Sequence, residues 1–442
     1  MLLKNVDIKN FRIIENNSLE FDSKFNLIIG NNGTGKTSVL EAITIGLGGI
    51  LAGMDDIKTI HFSKDDVRMV GKLIGEGSYD IKYMTPTMIK CTANIKGNEE
   101  ISWTRAKSSY KSSRTTTPKN ISHYASDLIN NENSILPIIC YQSAGRMWSQ
   151  KRDKWQDVFK GNYSRSLGYT DCLATESNIK LLTNWCKKME LISWQQEKKI
   201  TEYEVVKKAV GIFMSILEDH DLNSTIFYDK RTDELVYASN GEIIPIRLMS
   251  TGYRSLIGMV ADIAYRMAVL NPKLGNEIIE KTDGIILIDE IDLHVHPKWQ
   301  WSIVEALTKT FPNVQFIATT HSPIVIASCR DKNIISLFDG DKSTSAIELS
   351  IDNKKSPYGW QINDVLNRFM EVDERSPDLK RKLEEVKKLT FKKINDELNF
   401  EESEKLNDIK SELYSNLPQS DPAIELIELD SFESILKKRL KK

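Results

Sequence analysis

Cysteine is scarce in this chain: Cys91, Cys140, Cys172, Cys186 and Cys329 are scattered over 442 residues, odd in number and without metal-site spacing. A disulfide framework is excluded as the basis of the fold, and a reducing compartment is expected. Long hydrophobic runs are missing too. The longest apolar stretch, Ala42 to Met54, is broken by glycines and falls far short of the roughly 20 residues a membrane span needs. The start, MLLKNVDIKNFR, lacks the continuous apolar segment of a signal peptide, so a cytoplasmic protein without a membrane segment is expected. Nor is there an excess of one charge. Lysine plus arginine is 60 and aspartate plus glutamate 62, a net charge of −2, so no global field draws the chain onto nucleic acid and any such contact must be local.

What is present begins with Gly30 to Ser38, GNNGTGKTS, directly after the apolar run Phe25 to Ile29. Glycine, four residues, then Gly35-Lys36-Thr37 is the Walker A spacing, here between a buried-type strand and a helix-like stretch, Ser38 to Ile50. Glycines at 33 and 35 let backbone amides curl around phosphate oxygens, and the following helix points its N-terminus at the same anion. Asn31, Asn32, Gly33, Thr34, Gly35, Lys36, Thr37 and Ser38 are therefore candidate ATP-binding residues. Lys36 would act on the β- and γ-phosphates, and the Thr37 hydroxyl on Mg²⁺.

A second motif, DGIILIDEIDLHVHPKWQ from Asp283, delivers Asp289 and Glu290 at the end of a hydrophobic strand, the Walker B arrangement. Asp289 is the candidate Mg²⁺ ligand and Glu290 the candidate base toward water. One strand later, NVQFIATTHSP ends in His321, placed to sense a γ-phosphate. Upstream, Ser250-Thr251-Gly252 opens an apolar-striped helix, an anion site at a helix N-terminus. The chain's own Walker loop already serves its own phosphates, so this second site is expected to grip the nucleotide of another subunit. His294 and His296 in HVHP read as structural, not as metal ligands.

Elsewhere the chain reads as strands over 1–30, short alternating runs between Lys72 and Trp103, and a strand LPIICYQ ending at Gln142. Two helical stripes follow, Ile179, Leu182, Trp185 or Cys186, Met189 and then Tyr203, Val206, Val210, Phe213, Leu217. No heptad register is sustained, so long coiled-coil arms are absent. The segment Arg105 to Asn120 carries Arg105, Lys107, Lys111, Arg114 and Lys119 without an acid. It reads as a mobile loop, either simply solvated or in contact with a phosphate backbone. Asp339 and Asp341 flank a glycine in a stretch that reads as a β-hairpin, not as the metal site of a TOPRIM nuclease.

The order IKNFR (Ile8 to Arg12), GNNGTGKT, LMSTGYRS, LIDEIDLHVHP and ATTHSP resembles the ABC-type ATPases of the SMC and RecF-like branch over roughly residues 1–350. The signature reads MSTGYRS, not LSGGQ, and no transporter-coupling segment is recognisable, which disfavours a pump. The resemblance implies an α/β, ABC-type P-loop fold with an inserted β-subdomain, an inserted helical subdomain and a helical C-terminal extension. Its expected boundaries are 1–150 (Walker A lobe and β-subdomain), 151–245 (helical insertion), 246–350 (signature, Walker B, switch histidine) and 351–442 (C-terminal extension). It implies Ser250, Thr251 and Gly252 acting in trans in a head-to-tail homodimer or higher oligomer. It further implies Asp292 in a coupling D-loop, His321 as switch histidine, and Gln142 as a Q-loop residue serving nucleotide and metal.

The C-terminal segments SPYGWQINDVLNRFMEVDERSPDLKRKLEEVKKL and LPQSDPAIELIELDSFESILKKRLKK, with HFSKDDVR and LPIICYQSAGRMW, resemble the PtuA group of Septu and retron-linked anti-phage systems. That resemblance implies a partner HNH nuclease (PtuB-like), with a reverse transcriptase and its RNA/DNA in the retron-linked case, and residues 351–442 as the docking region or a plain helical cap. The competing expectations are a RecF-like DNA-maintenance ATPase that binds DNA directly and a scaffold that holds ATP without turnover.

Overall fold

The computed structural model describes residues 1–55, 57–75, 78–95, 99–147, 164–175, 179–219, 224–330, 334–337, 344–345, 356–395 and 397–424. The chain divides into two compact units, Met1–Met370 and Glu371–Lys442.

The first unit opens with β1 (Leu2–Phe11), β2 (Ile14–Glu20) and β3 (Phe25–Gly30), then α1 (Lys36–Leu51). A hairpin of β4 (Met69–Gly75) and β5 (Ser78–Tyr83) precedes β6 (Thr87–Asn94), β7 (Glu100–Lys107), α2 (Lys119–Asn130) and β8 (Ile138–Gln142). Next come α3 (Ile179–Gln195), α4 (Thr201–Glu218), β9 (Thr225–Asp229), β10 (Glu234–Ser239), β11 (Glu242–Pro245), α5 (Thr251–Leu270) and α6 (Ile278–Lys281). The chain continues through β12 (Gly284–Ile288), α7 (Pro297–Gln300), α8 (Ile303–Thr310), β13 (Val314–Thr319), α9 (Pro323–Ser328), β14 (Ile334–Leu337), β15 (Thr344–Ser345) and α10 (Ile362–Phe369).

Two sheets carry the site. The central one is wholly parallel, in the order β14-β3-β13-β12-β8. Its strands β8, β12 and β13 are buried at every residue, as expected of strands covered on both faces. The other has the order β15-β2-β1-β6-β7, antiparallel except where β15 meets β2.

Helix α1 docks on the antiparallel sheet through its glycines. A Cβ on Gly46 would lie 2.4 Å from Cys91 Sγ, and one on Gly48 would lie 2.5 Å from Arg105 Nη1. The close approach lets Trp103 Nε1 donate to Gly46 O at 2.8 Å and Arg105 Nη1 donate to Ile45 O at 2.7 Å and Ile60 O at 2.6 Å. The glycines that interrupt Ala42 to Met54 are thus contact points, and the helix that starts in the phosphate loop is fixed to the sheet along its length.

This arrangement corrects the expectation for residues 105–120. Arg105 and Lys107 are fully buried in β7, with Lys107 Nζ on Ser63 O at 3.0 Å, so neither is available to a phosphate backbone. The following segment is pinned as well, with Thr116 N donating to Ala106 O, Thr116 Oγ1 accepting from Ala106 N and Thr115 Oγ1 from Phe62 N. Lys111, Arg114 and Lys119 remain exposed. The physical reason is that Ile45, Ile60 and Ser63 present carbonyls that the long cationic side chains of β7 reach.

The second helical stripe lies where its spacing places it, with Tyr203, Val206, Val210, Phe213 and Leu217 all buried on α4. Trp185 packs edge-on to Tyr203 and Tyr265, at 6.0 and 5.1 Å between ring centroids. The inserted region is not purely helical, however. After α4 it forms the three-stranded sheet β11-β10-β9. Among the described residues, the strands flanking Asp339 and Asp341 pair elsewhere and not with each other as expected of a hairpin: β14 joins β3 and β15 joins β2. Asp339 and Asp341 themselves lie outside the described residues. Helix α10 also departs from the expected boundary, since its buried Val365 and Phe369 belong to the main core.

The second unit contains α11 (Pro377–Ile394) and α12 (Phe400–Asn416). Asn399 and Glu402 cap α12 reciprocally. Val386, Leu389, Leu406, Ile409, Leu413 and Ile424 form a separate small core.

Arg105→Ala should lower stability by roughly 2–4 kcal/mol, because two buried carbonyls lose their donor and a void opens under α1. Urea unfolding checks this, with Arg114→Ala, an exposed neighbour, expected to change stability by less than about 0.5 kcal/mol.

Candidate nucleotide site

The parallel register brings four strand ends to one edge: Gln142 of β8 pairs with Ile288 of β12, Ala318 of β13 with Ile288, and Thr319 with Ile28 of β3. In open parallel sheets this carboxyl edge is where ligands bind. The loop between β3 and α1 occupies it. Gly33 and Gly35 have φ of 85° and 96°, a region in which side chains are strained, so the loop's curl requires glycine. Gly35 caps α1, and a Cβ there would lie 2.9 Å from Ile13 Cδ1 in the β1–β2 turn.

That turn is held by the arginine of IKNFR. Arg12 pairs with Glu41 of α1 and with Asp66, its Nε 3.0 Å from Asp66 Oδ1. Burial raises the Glu41 carboxyl above its ordinary range, and Arg12 works against that shift.

Lys36 is buried at the start of α1, its Nζ donating to Gly30 O at 2.7 Å and Asn31 O at 3.1 Å. Burial lowers its affinity for a proton, while Asp289, Glu290 and Asp292 oppose that shift. Thr37 Oγ1 lies 3.0 and 3.2 Å from the two carboxylate oxygens of Asp289. Thr319 fixes this carboxylate from the neighbouring strand. Its hydroxyl donates to Asp289 Oδ1 at 2.7 Å and accepts the Glu290 amide at 2.8 Å. Glu290 sits at φ 48°, a conformation a side chain enters only at a cost of about 1–3 kcal/mol. The Thr319 contact and the bond from Ile291 N to Thr319 O hold the chain in that turn.

Asp292 links Walker B to the switch segment, its Oδ1 accepting from Thr320 Oγ1 at 2.5 Å and His321 N at 3.3 Å. Ser322 then caps α9 and donates to Gln300 Oε1 at 2.6 Å. His321 and the loop residues Gly30, Asn31 and Asn32 line one cavity of about 150 Å³, closed on another side by Phe369 and Met370.

The remaining candidates are placed differently. The Gln142 carbonyl accepts from Asp289 N at 2.8 Å, but its side-chain amide donates to Asp262 Oδ2 of α5 at 2.9 Å and to Cys140 Sγ at 3.2 Å. The same Asp262 oxygen accepts from Nε of the buried Arg266 at 2.9 Å, so this carboxylate joins Arg266 to the Gln142 amide. The Gln142 side chain is therefore engaged by α5 and is not brought to Thr37 and Asp289.

Ser250 and Thr251 begin α5 at an exposed N-terminus, and the Ser250 side chain makes no capping bond to it. Gly252 is buried, and a Cβ there would lie 2.5 Å from the carbonyl oxygen of His294. The signature helix thus rests on the D-loop backbone of its own chain. His296 caps α7, its Nδ1 accepting from Lys298 N at 3.2 Å. Among the described residues no cluster of three His, Cys, Asp or Glu side chains could hold a metal ion alone. The hydroxyl of Thr37 and the carboxylate of Asp289 do form an all-oxygen pair suited to Mg²⁺ with phosphate, and the curled loop fits phosphate.

The comparisons agree with this geometry. A family model described as an AAA domain matches residues 5–217, and a second AAA model, associated with the AbiEii toxin of Type IV TA systems, matches 199–327. The retron Vc95 probable ATPase of Vibrio cholerae serotype O1 biovar El Tor is 27% identical over 427 residues, covering 83% of this chain and 78% of that protein. The retron Ec83 probable ATPase of Escherichia coli is 26% identical, covering 87% and 79%. The Septu protein PtuA of Bacillus thuringiensis is 24% identical, covering 92% and 93%. The chain is similar to probable ATPases over most of its length, and AAA models match two successive stretches of it.

No described helix of the chain is long and apolar enough to cross a membrane. Sequence reading missed three residues of its site. Thr319 is one, since a threonine at a strand end carries no motif; Asp262 and Arg266 are the others, hidden in the apolar pattern of α5.

Thr319→Val should weaken Mg²⁺-dependent nucleotide binding about 10- to 100-fold, because it removes the hydroxyl's bonds to the Asp289 carboxylate and the Glu290 amide. Calorimetric titration with Mg²⁺ and a non-hydrolysable ATP analogue checks this. Thr319→Ser, which keeps the hydroxyl, should bind nearly as wild type.

Proposed function

We propose that this ATPase binds and hydrolyses Mg²⁺-ATP as the regulatory subunit of a bacterial anti-phage defence complex, with a partner nuclease of the HNH type as effector. The observation that carries the reading is the convergence of Lys36, Thr37, Asp289, Glu290 and the Asp292–His321 link at one sheet edge. The defence assignment is supported by the names of its relatives, which span most of the chain.

In this reading the loop amides from Asn31 to Ser38 and the Lys36 ammonium hold the β- and γ-phosphates, while Thr37 and Asp289 hold the metal ion. Bound Mg²⁺ supplies Lewis-acid stabilisation of charge on the transferred phosphoryl group. Glu290 orients water and accepts its proton, and His321 reports the γ-phosphate to Asp292. Ser250, Thr251 and Gly252 complete the site of a second copy, so that ATP favours a head-to-tail dimer by its greater affinity for the closed form. The output then passes to the partner, and in a retron-linked system to a reverse transcriptase with its nucleic acid. The second unit, Glu371–Lys442, is the candidate docking region for it.

Glu290→Gln should reduce phosphate release by about 10² to 10⁴ while keeping ATP binding and trapping the dimer. Turnover assays and light scattering with ATP read both. Turnover equal to wild type would remove Glu290 from the chemistry. Co-purification with the products of flanking genes tests the partner: recovery of the ATPase alone would end the nuclease assignment.

A further inference from the structure

Strands β4 and β5 form a two-stranded hairpin that joins no larger sheet. Such a hairpin is marginal in water unless a third strand or a packed face supports it. Here the root is tied, with Met84 N donating to Arg68 O at 2.8 Å and Arg68 N to Asn10 O at 3.1 Å. The register pairs Met69 with Tyr83, Gly71 with Ile81 and Leu73 with Tyr79, which puts five large apolar side chains on one face. Their exposure is 57% for Met69, 62% for Leu73, 65% for Tyr79, 51% for Ile81 and 40% for Tyr83. Lys72, Asp80 and Lys82 all stand on the opposite face, between Val70 and Ile74. Near the root the ring of Tyr83 stacks on Tyr110 at 3.7 Å, which orders that end of the face.

We propose that this apolar face is an isologous interface with a second copy of the chain. The face carries no formal charge, so an identical face meets it without like-charge repulsion and offers nothing to a partner selected by charge. With roughly 150–250 Å² for each fully exposed large side chain, the five residues present on the order of 500 Å². Two copies together bury on the order of 1,000 Å², at the lower bound for a specific interface between proteins. A two-fold contact also closes, so the exposed face yields a dimer and not a fibre.

The hairpin flanks the nucleotide edge without entering it. Arg68 at its root bonds the carbonyl of Ile13, and Ile13 lies against Gly35. If the head-to-tail closure proposed above also holds, the two interfaces together make a tetramer.

The test is the mass of the full chain by sedimentation, without nucleotide, for wild type and for the double substitution Leu73→Lys with Ile81→Lys. A dimeric wild type and a monomeric variant with an unchanged thermal melt are expected. A wild-type monomer, or a variant that remains dimeric, overturns the proposal. A monomeric wild type that captures a co-expressed neighbour through this face, lost in the variant, also overturns it and assigns the face to a different protein. Should the double variant fail to fold, Tyr79→Glu alone supplies the same comparison. Adding ATP in the Glu290→Gln background reads the other interface separately, so a failure of the nucleotide reading leaves this outcome unaffected.

Discussion

The contact on which the rest of the site depends is the one between Thr37 and Asp289, a hydroxyl and a carboxylate 252 residues apart in sequence and 3.0 Å apart in space. It requires that α1 begin at the sheet edge, that β12 end there, and that both be immobile. The first condition is met by the glycine face of α1 against Cys91, Trp103 and Arg105. The second is met by the parallel register with β8 and β13, and by Thr319, which holds the carboxylate from the side. A metal-binding pair built from a helix and a strand gains its precision from such packing, since neither side chain fixes the other alone.

The meeting of the glycine-rich loop, the acidic pair and His321 at one sheet edge was legible in the sequence because each follows directly on an apolar strand. The core stripe of α4 was legible for the same reason of periodicity. Residues 105–120 were not. Composition records that Arg105 and Lys107 are charged, but not that the α1 backbone and Ser63 present buried carbonyls to receive them. The supposed hairpin at Asp339 failed on a similar ground. Local alternation identifies strands without saying which sheet each joins, and here β14 and β15 go to different sheets. Gln142 illustrates the third kind of gap. Its place at a strand end was readable, whereas the direction of its side chain depends on Asp262 and Arg266, far along the chain.

The corrected position of the basic side chains bears on function. Of the five cations in the 105–120 segment, Arg105 and Lys107 serve the fold, which leaves Lys111, Arg114 and Lys119 at the surface. Neutralising a few phosphates contributes modest, salt-sensitive affinity, so this segment is a weak basis for direct DNA binding.

One helix, α5, is packed against both ends of the acidic motif. Helix α5 presents Ser250 and Thr251 outward, rests through Gly252 on the carbonyl of His294, and through Asp262 holds the amide of Gln142. His294 is two residues past Asp292, which is bonded to the His321 backbone, and Gln142 accepts the Asp289 amide. Both ends of the acidic motif therefore touch α5, one through the D-loop and one through β8. Asp289 and the segment that leads to His321 are thus each joined to α5 by direct contacts. The glycine at 252 is central to this contact, because a Cβ there would lie 2.5 Å from the carbonyl oxygen of His294 and force the helix and that loop apart.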